Sequence, residues 1–157
     1  MPIQRLARLS DIIFAVAMTI LAIFFEPTSL DDISPGMAAQ ILWKQLPDMG
    51  IYALTFITLA FYWFTHVNQF KHYQKTDAVH TFSVLFSLLF VVLLTYASDL
   101  SESYEGVFAI NVFYSCSAIG VGIFSIAAWI YGTQNRRLVA PDLAALVSQQ
   151  TKESERN

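Results

Sequence analysis

Arg5, Ser10 and Asp11 stand at the head of a long apolar run, Ile12–Phe25, and theirs is the chemistry that most needs a reason. An ionisable side chain in the first turns of a hydrophobic span is costly to place, so it has a partner and a role. Trp63 and His66, in the run Phe61-Tyr62-Trp63-Phe64-Thr65-His66, are spaced i, i+3 and share a helix face. The spacing of the apolar runs sets them at the same membrane depth as Arg5, Ser10 and Asp11. The pattern reads as a polar cluster in which Arg5 neutralises Asp11 while Trp63 and His66 donate to Ser10 or Asp11 across a helix interface. A buried carboxylate requires such partners or takes up a proton. For His66 alone, a histidine wetted by lipid headgroups is the plainer reading. No nucleophile–base pairing stands out, so an enzyme is not expected. Asp11, His66 and His80 show neither His-x-x-x-His nor Glu-x-x-His spacing, so no metal site is expected either. Asp77 and His80 open a third apolar run, where Asp77 suits a helix N-terminus.

The elements that position these residues are long and apolar. Of 157 residues, 55% are hydrophobic and only 13% charged, and phenylalanine alone occurs 13 times. Mean hydropathy is +0.51, whereas soluble domains are about one quarter charged residues. Apolar segments fall at about 9–28, 49–70, 78–99 and 106–134, each near the roughly 20 residues that cross a bilayer core of about 30 Å. Strands would need barrel closure, and the alternation of a barrel is missing, so these are helices. The expected fold class is all-α: a polytopic membrane protein of four transmembrane helices. Residues 1–135 form one transmembrane domain and 136–157 a cytoplasmic tail.

The first span has basic residues before an apolar core, as a secretory signal does. Asp11 at that junction, and an ending Phe24-Phe25-Glu26-Pro27 without small residues suited to cleavage, argue that it is kept. Of the 9 lysines and arginines, only Lys44 falls in the loops opposite to Arg5, Arg8, Lys71, Lys75, Arg136, Arg137, Lys152 and Arg156. That bias sets both termini in the cytoplasm. The opposite loops carry Glu26, Asp31, Asp32, Asp48, Asp99, Glu102 and Glu105, which either concentrate cations at an outer mouth or simply solvate the loops. Ser34-Pro35 opens a short helix over Met37–Leu46, expected to lie in the interface with Trp43 and Lys44 at headgroup level. Pro47 then bends the chain into span two. A net charge of −3 without a basic cluster gives no case for nucleic acid.

Span four carries small residues, with Cys116-x-x-x-Gly120 and Ala118-x-x-x-Gly122 as close-packing faces. Cys116 is the single cysteine, a small packing residue with no intramolecular disulfide partner. Trp129 and Tyr131 belong to the inner aromatic belt. After Arg136, Pro141-Asp142 opens a brief helical pattern, followed by a polar end, Ser148–Asn157.

Val16, Ile20 and Ile23 are spaced i, i+4, i+7 along span one, with Thr19 beside them. Every face of this helix is apolar, so the residues alone leave lipid contact or generic packing open. The heptapeptide Arg5-Leu6-Ala7-Arg8-Leu9-Ser10-Asp11 resembles Arg-x-x-x-Phe-Ser-Asp, the signature opening the first helix of the transmembrane protein 175 family of potassium channels, the lysosomal/endosomal channels and their prokaryotic relatives. Leu9 stands where that family has Phe. The family's Trp-x-x-His pattern is matched by Trp63 and His66, and Leu42-Trp43 with Gln45 and Pro47 is a further echo. The resemblance runs from about Arg5 through the fourth span.

The resemblance implies an oligomer, a homotetramer here, with first helices around a pore. Val16, Ile20 and Ile23 match its bulky aliphatic constriction, and Thr19 a polar pore-facing position one turn deeper than Val16. Such a constriction gates by dewetting rather than through a carbonyl-lined filter, and no Thr-Val-Gly-Tyr-Gly segment is present. The polar cluster, Arg5, Ser10, Asp11, Trp63 and His66, would position the pore helix without touching the ion. The implied function is a potassium-preferring cation channel with K+ as permeant ion and no cofactor, in the bacterial inner (plasma) membrane. Prokaryotic members have six spanning helices; four are expected here, and Leu138–Leu146 resembles the linker toward a fifth. Two other classes stand beside the channel. One is a non-conducting membrane interaction or scaffold protein that keeps the fold. The other is a small transporter, disfavoured because no span carries the Gly/Pro interruption of a discontinuous helix.

Overall fold

A computed structural model describes residues 2–24, 38–104, 106–134 and 138–139, and within the helices the side chains of 24, 38, 41, 44, 47 and 48 fall outside the description. Four helices run in the order α1 (Ile3–Phe24), α2 (Ala38–Phe70), α3 (Ala78–Ser103) and α4 (Phe108–Thr133). Each is long and apolar enough to cross a membrane. A helix is the form these runs must take in hydrocarbon, because it satisfies its backbone N–H and C=O groups internally.

Two boundaries differ from the sequence expectation. Helix α1 begins at Ile3, six residues before the apolar segment expected from about 9, so all of Arg5 through Asp11 is helical. Residues 38–46 are helical, but as the opening turns of α2, which continues through Pro47 for 33 residues. Such a helix is about 50 Å long, against a hydrocarbon core of about 30 Å. Only Met49–Phe70 is apolar enough to span, so the turns before it project beyond the core, where water can satisfy the carbonyl that Pro47 leaves without a donor. The acidic segment Glu26–Asp32, Ser34-Pro35 and the Pro141-Asp142 pattern lie outside the described residues.

Helices α3 and α4 make the most extensive contact, and α1 packs against both α3 and α2. The buried face of α4 is the stripe Ser117, Val121, Ser125, Ala128 and Gly132, with Val121 meeting α3, Ser125 meeting Gln69 of α2, and Ala128 and Gly132 meeting Tyr73 beyond the end of α2. Gly120 lies against the ring of Phe90, and the rings of Phe86 and Phe90 stack on Phe124 at 5.3 and 5.5 Å. Cys116 is exposed, so the small-residue pairing expected with Gly120 does not form one packing face: four residues on, the buried stripe has turned toward Ser117 and Val121. Polar links tie the helices. Thr55 Oγ1 lies 2.9 Å from Ser98 Oγ and 3.0 Å from the Tyr114 hydroxyl, joining α2, α3 and α4, while Ser87 donates to the Val121 carbonyl at 3.1 Å.

The connections are short. Asp77 caps α3 by accepting from the His80 N–H at 3.0 Å, as a carboxylate at a helix N-terminus should. Its other oxygen accepts from the Tyr131 hydroxyl at 2.7 Å, pinning α4 to the same corner. Between α3 and α4, Gly106 has φ 77°, a left-handed conformation that suits a residue without Cβ. After α4 the chain turns back: Gln74 N–H donates to the Leu138 carbonyl at 2.9 Å and Tyr73 pairs with Val139. Tyr73 is buried there, and that burial raises its phenol above the usual tyrosine value. It therefore stays a neutral donor, reaching the Ala128 carbonyl at 3.3 Å.

Candidate functional site

Helix α1 has two faces of opposite character. Leu6, Ser10, Phe14, Ala17 and Leu21 are buried, and their spacing of four, four, three and four residues draws one stripe against α2 and α3. On the other side Ile12, Val16, Thr19 and Ile23 are spaced four, three and four, and all are exposed. Val16 is 50% and Ile23 69% accessible. Thr19 turns its hydroxyl back onto the Ala15 carbonyl at 2.7 Å, which leaves only oxygen lone pairs facing outward. Ile20 stands apart from Val16 and Ile23. It is half-buried and lines a cleft of about 530 Å³ between α1 and α3 with Val16, Val92 and Tyr96. Around the helix Ile20 lies about 40° from Val16 and about 60° from Ile23, turned toward the α3 side.

At the basic end of the bundle the polar residues sort themselves by face. Trp63 Nε1 donates to Asp11 Oδ1 at 3.0 Å across the α1–α2 contact. Ser10 is fully buried, but its hydroxyl donates to the Leu6 carbonyl at 2.9 Å within its own helix. His66 is buried beside Phe14, ring centroids 5.8 Å apart, and lies against Phe70 at 4.3 Å. Its Nε2 has no hydrogen-bond partner among the described residues. Arg5 is exposed, and no ion pair joins it to Asp11. Six residues on a helix are about 120° from eclipsed and about 9 Å apart along the axis, so the two cannot meet on one chain. The structure thus brings Asp11, Trp63, Ser10 and His66 to one corner and sets Arg5 outside it.

Sequence reasoning missed several members of this corner. Phe14 links His66 to α1, and Phe70 and Tyr73 carry the ring packing on to His80, the Tyr73–His80 centroids lying 4.4 Å apart. His80 is fully buried, with Nδ1 2.9 Å from Thr76 Oγ1 and Nε2 unpartnered among the described residues. The one available signal was Gly132, which leaves room for the Tyr73 ring. Among the described residues no group of three metal-ligating side chains gathers.

The family described as the endosomal/lysosomal potassium channel TMEM175 matches residues 5–94, which takes in α1, α2 and most of α3. A chicken (Gallus gallus) protein named endosomal/lysosomal proton channel TMEM175 is 26% identical over 138 residues, covering 87% of this chain and 27% of its own length. A protein of Streptomyces collinus named as a potassium channel is 22% identical over 152 residues, covering 94% of this chain and 73% of its own. The chain therefore spans about a quarter of the chicken relative and nearly three quarters of the bacterial one. The matched family is one of ion channels, not of enzymes, and four apolar spanning helices make this an integral membrane protein. With Asp11 and Trp63 bonded inside the matched region, and that region covering more than half of the residues, the chain belongs to the TMEM175 family.

Proposed function

We propose that this protein is a potassium-preferring cation channel whose subunits assemble as a homotetramer with α1 at the axis. The observation that supports it is the second face of α1: Ile12, Val16, Thr19 and Ile23 form a coherent exposed stripe on the side away from the buried one, with Ile12 and Val16 also bordering the α1–α3 cleft. In this reading Val16, Ile20 and Ile23 form the constriction, and the lone pairs of Thr19 offer an acceptor ring to a hydrated cation. A narrow aliphatic ring is closed to ions when dry and opens when a small tilt or rotation of the helices lets water in. Ile20, at the edge of the α1–α3 cleft, turns toward the axis with such a rotation. The Asp11–Trp63 bond and the buried corner beneath it fix the angle at which α1 leaves the bundle. The potassium channel of Streptomyces collinus, matched along nearly the whole of this chain, supports potassium as the permeant ion; in this reading the channel lies in a bacterial inner (plasma) membrane. Both termini are cytoplasmic in this account, as the basic loops require.

The experiment is a flux measurement on the purified protein in liposomes, with potassium, sodium and proton gradients compared in turn. Potassium flux exceeding sodium flux is the expected result. Absence of any cation flux from assembled protein would favour a non-conducting scaffold.

A further inference from the structure

His66 is nearly fully buried, its Nε2 lacks a partner among the described residues, and its ring touches Phe14 of α1. An imidazole in such a place is unusual on two counts. A buried polar nitrogen without a hydrogen bond costs free energy, and this one sits at the joint between the pore helix and its neighbour. The groups around it are few. From α1, Asp11 is the carboxylate whose charge acts on His66. From α3, His80 acts on it with the opposite sign, and His80 is in turn faced by Asp77 and by the Tyr73 ring from the α2–α3 turn. From α4, Tyr131 meets Asp77. Arg5, Arg8, Lys71 and Lys75 lie at the same end of the bundle, exposed.

We propose that His66 is a proton-operated switch that competes with Trp63 for Asp11 and so resets the contact between α1 and α2. In the neutral state the indole of Trp63 holds Asp11 at 3.0 Å and His66 is packed between Phe14 and Phe70. A proton taken from water at the basic end makes both ring nitrogens donors and gives the ring a positive charge. The packed position offers Nε2 no acceptor among the described residues, and the carboxylate acting on the ring is Asp11. The imidazolium moves to Asp11, the indole is displaced, and Phe14 moves with the ring it touches. His66 lies three residues beyond Trp63 on the same face of α2, so the exchange needs only side-chain rotation and a small shift of α1. The contact lies within a single subunit and does not depend on whether the assembly conducts.

The test uses the assembled protein in lipid nanodiscs, labelled with 15N, with the Trp63 indole signal assigned by its loss in Trp63→Phe. It is followed from about pH 8 down to about pH 3, because burial disfavours the charged form of a ring whose ordinary value is near 6.5. In the wild type the indole signal moves through one transition and ends, at acid pH, where Asp11→Ala places it at neutral pH. His66→Phe, which keeps a ring between Phe14 and Phe70, loses the transition, whereas His80→Gln keeps it. An indole signal that does not move in the wild type overturns the proposal without reference to any variant. A transition that persists in His66→Phe also overturns it, since Asp11 would then be titrating by itself. Should His66→Phe fail to assemble, His66→Gln makes the same comparison.

Discussion

Trp63 and Asp11, fifty-two positions apart, are joined by an N–H···O bond of 3.0 Å that crosses from α2 to α1. Among the described residues it is a side-chain hydrogen bond between α1 and α2, whereas Ser10 satisfies its own helix and His66 meets α1 through ring contact. Asp11 is exposed on the single subunit, so the bond is worth about 1 kcal/mol there, at the low end for a charged acceptor. Asp11→Ala should lower the melting temperature of the detergent-solubilised protein, and Asp99→Ala, at the far end of α3, should leave it unchanged. Equal melting temperatures would show that Asp11 is merely a solvated helix carboxylate.

Gly120 and Gly50 give a matched pair of substitutions. A methyl group at Gly120 would run into the ring of Phe90, whereas one at Gly50 meets nothing within 4 Å. Gly120→Ala should destabilise the α3–α4 pair by about 1–3 kcal/mol through overpacking. Gly50→Ala should stabilise α2 by about 0.5–1 kcal/mol, the usual gain from removing backbone freedom in a helix. Thermal unfolding of the two variants checks both signs.

The interior hydroxyls make a third case. Thr55 donates to the Ile51 carbonyl at 2.9 Å, so Ser98 and Tyr114 must both donate to its oxygen. Thr55→Val keeps the shape and strands two donors at a fully buried position, at a cost of about 1–3 kcal/mol. Tyr114→Phe removes one donor and leaves Thr55 satisfied, so it should cost less. Reversal of that order would mean that water supplies the missing acceptor.

Local chemistry was legible in the sequence, and relations between helices were less so. The four spans follow from hydropathy, and the Asp77 cap follows from a carboxylate before an apolar run, since both depend on near neighbours only. The pairing of Arg5 with Asp11 fails on helical geometry: their closeness along the chain becomes a third of a turn around the axis. Pro47 suggested a break, yet a proline removes only one donor, and a helix leaving the membrane can spare it. Which face of α1 is buried was hidden because lipid and protein interior favour the same residues. Val16, Ile20 and Ile23 read as one row, and only the position of α3 separates Ile20 from the other two. Tyr73 drew no attention because two of its partners, Val139 and Ala128, are distant in sequence, and His80 meets it only once the chain has turned from α2 into α3.

If α1 lines the axis, its exposed stripe meets its own copies. In a Cys116→Ser background, needed because Cys116 is exposed, cysteines at Val16 or Ile23 should cross-link between subunits under mild oxidation. Leu21→Cys, on the buried face, should not. Chemical cross-linking through lysines should give a ladder that ends at four chains.

Pore-blocking measures the central claim most directly. Ile23→Cys in the Cys116→Ser background is reconstituted in liposomes, and potassium flux is followed before and after a positively charged thiol reagent. Ile126→Cys serves as comparison, because Ile126 is also well exposed, on α4, but faces away from α1 in this account. A fixed positive charge inside a pore repels the permeant cation and occupies its path. Modification at Ile23 should therefore abolish most of the potassium flux, and modification at Ile126 should leave it as it was. Complete labelling of Ile23→Cys with potassium flux unchanged would contradict the placement of α1 at the conduction axis.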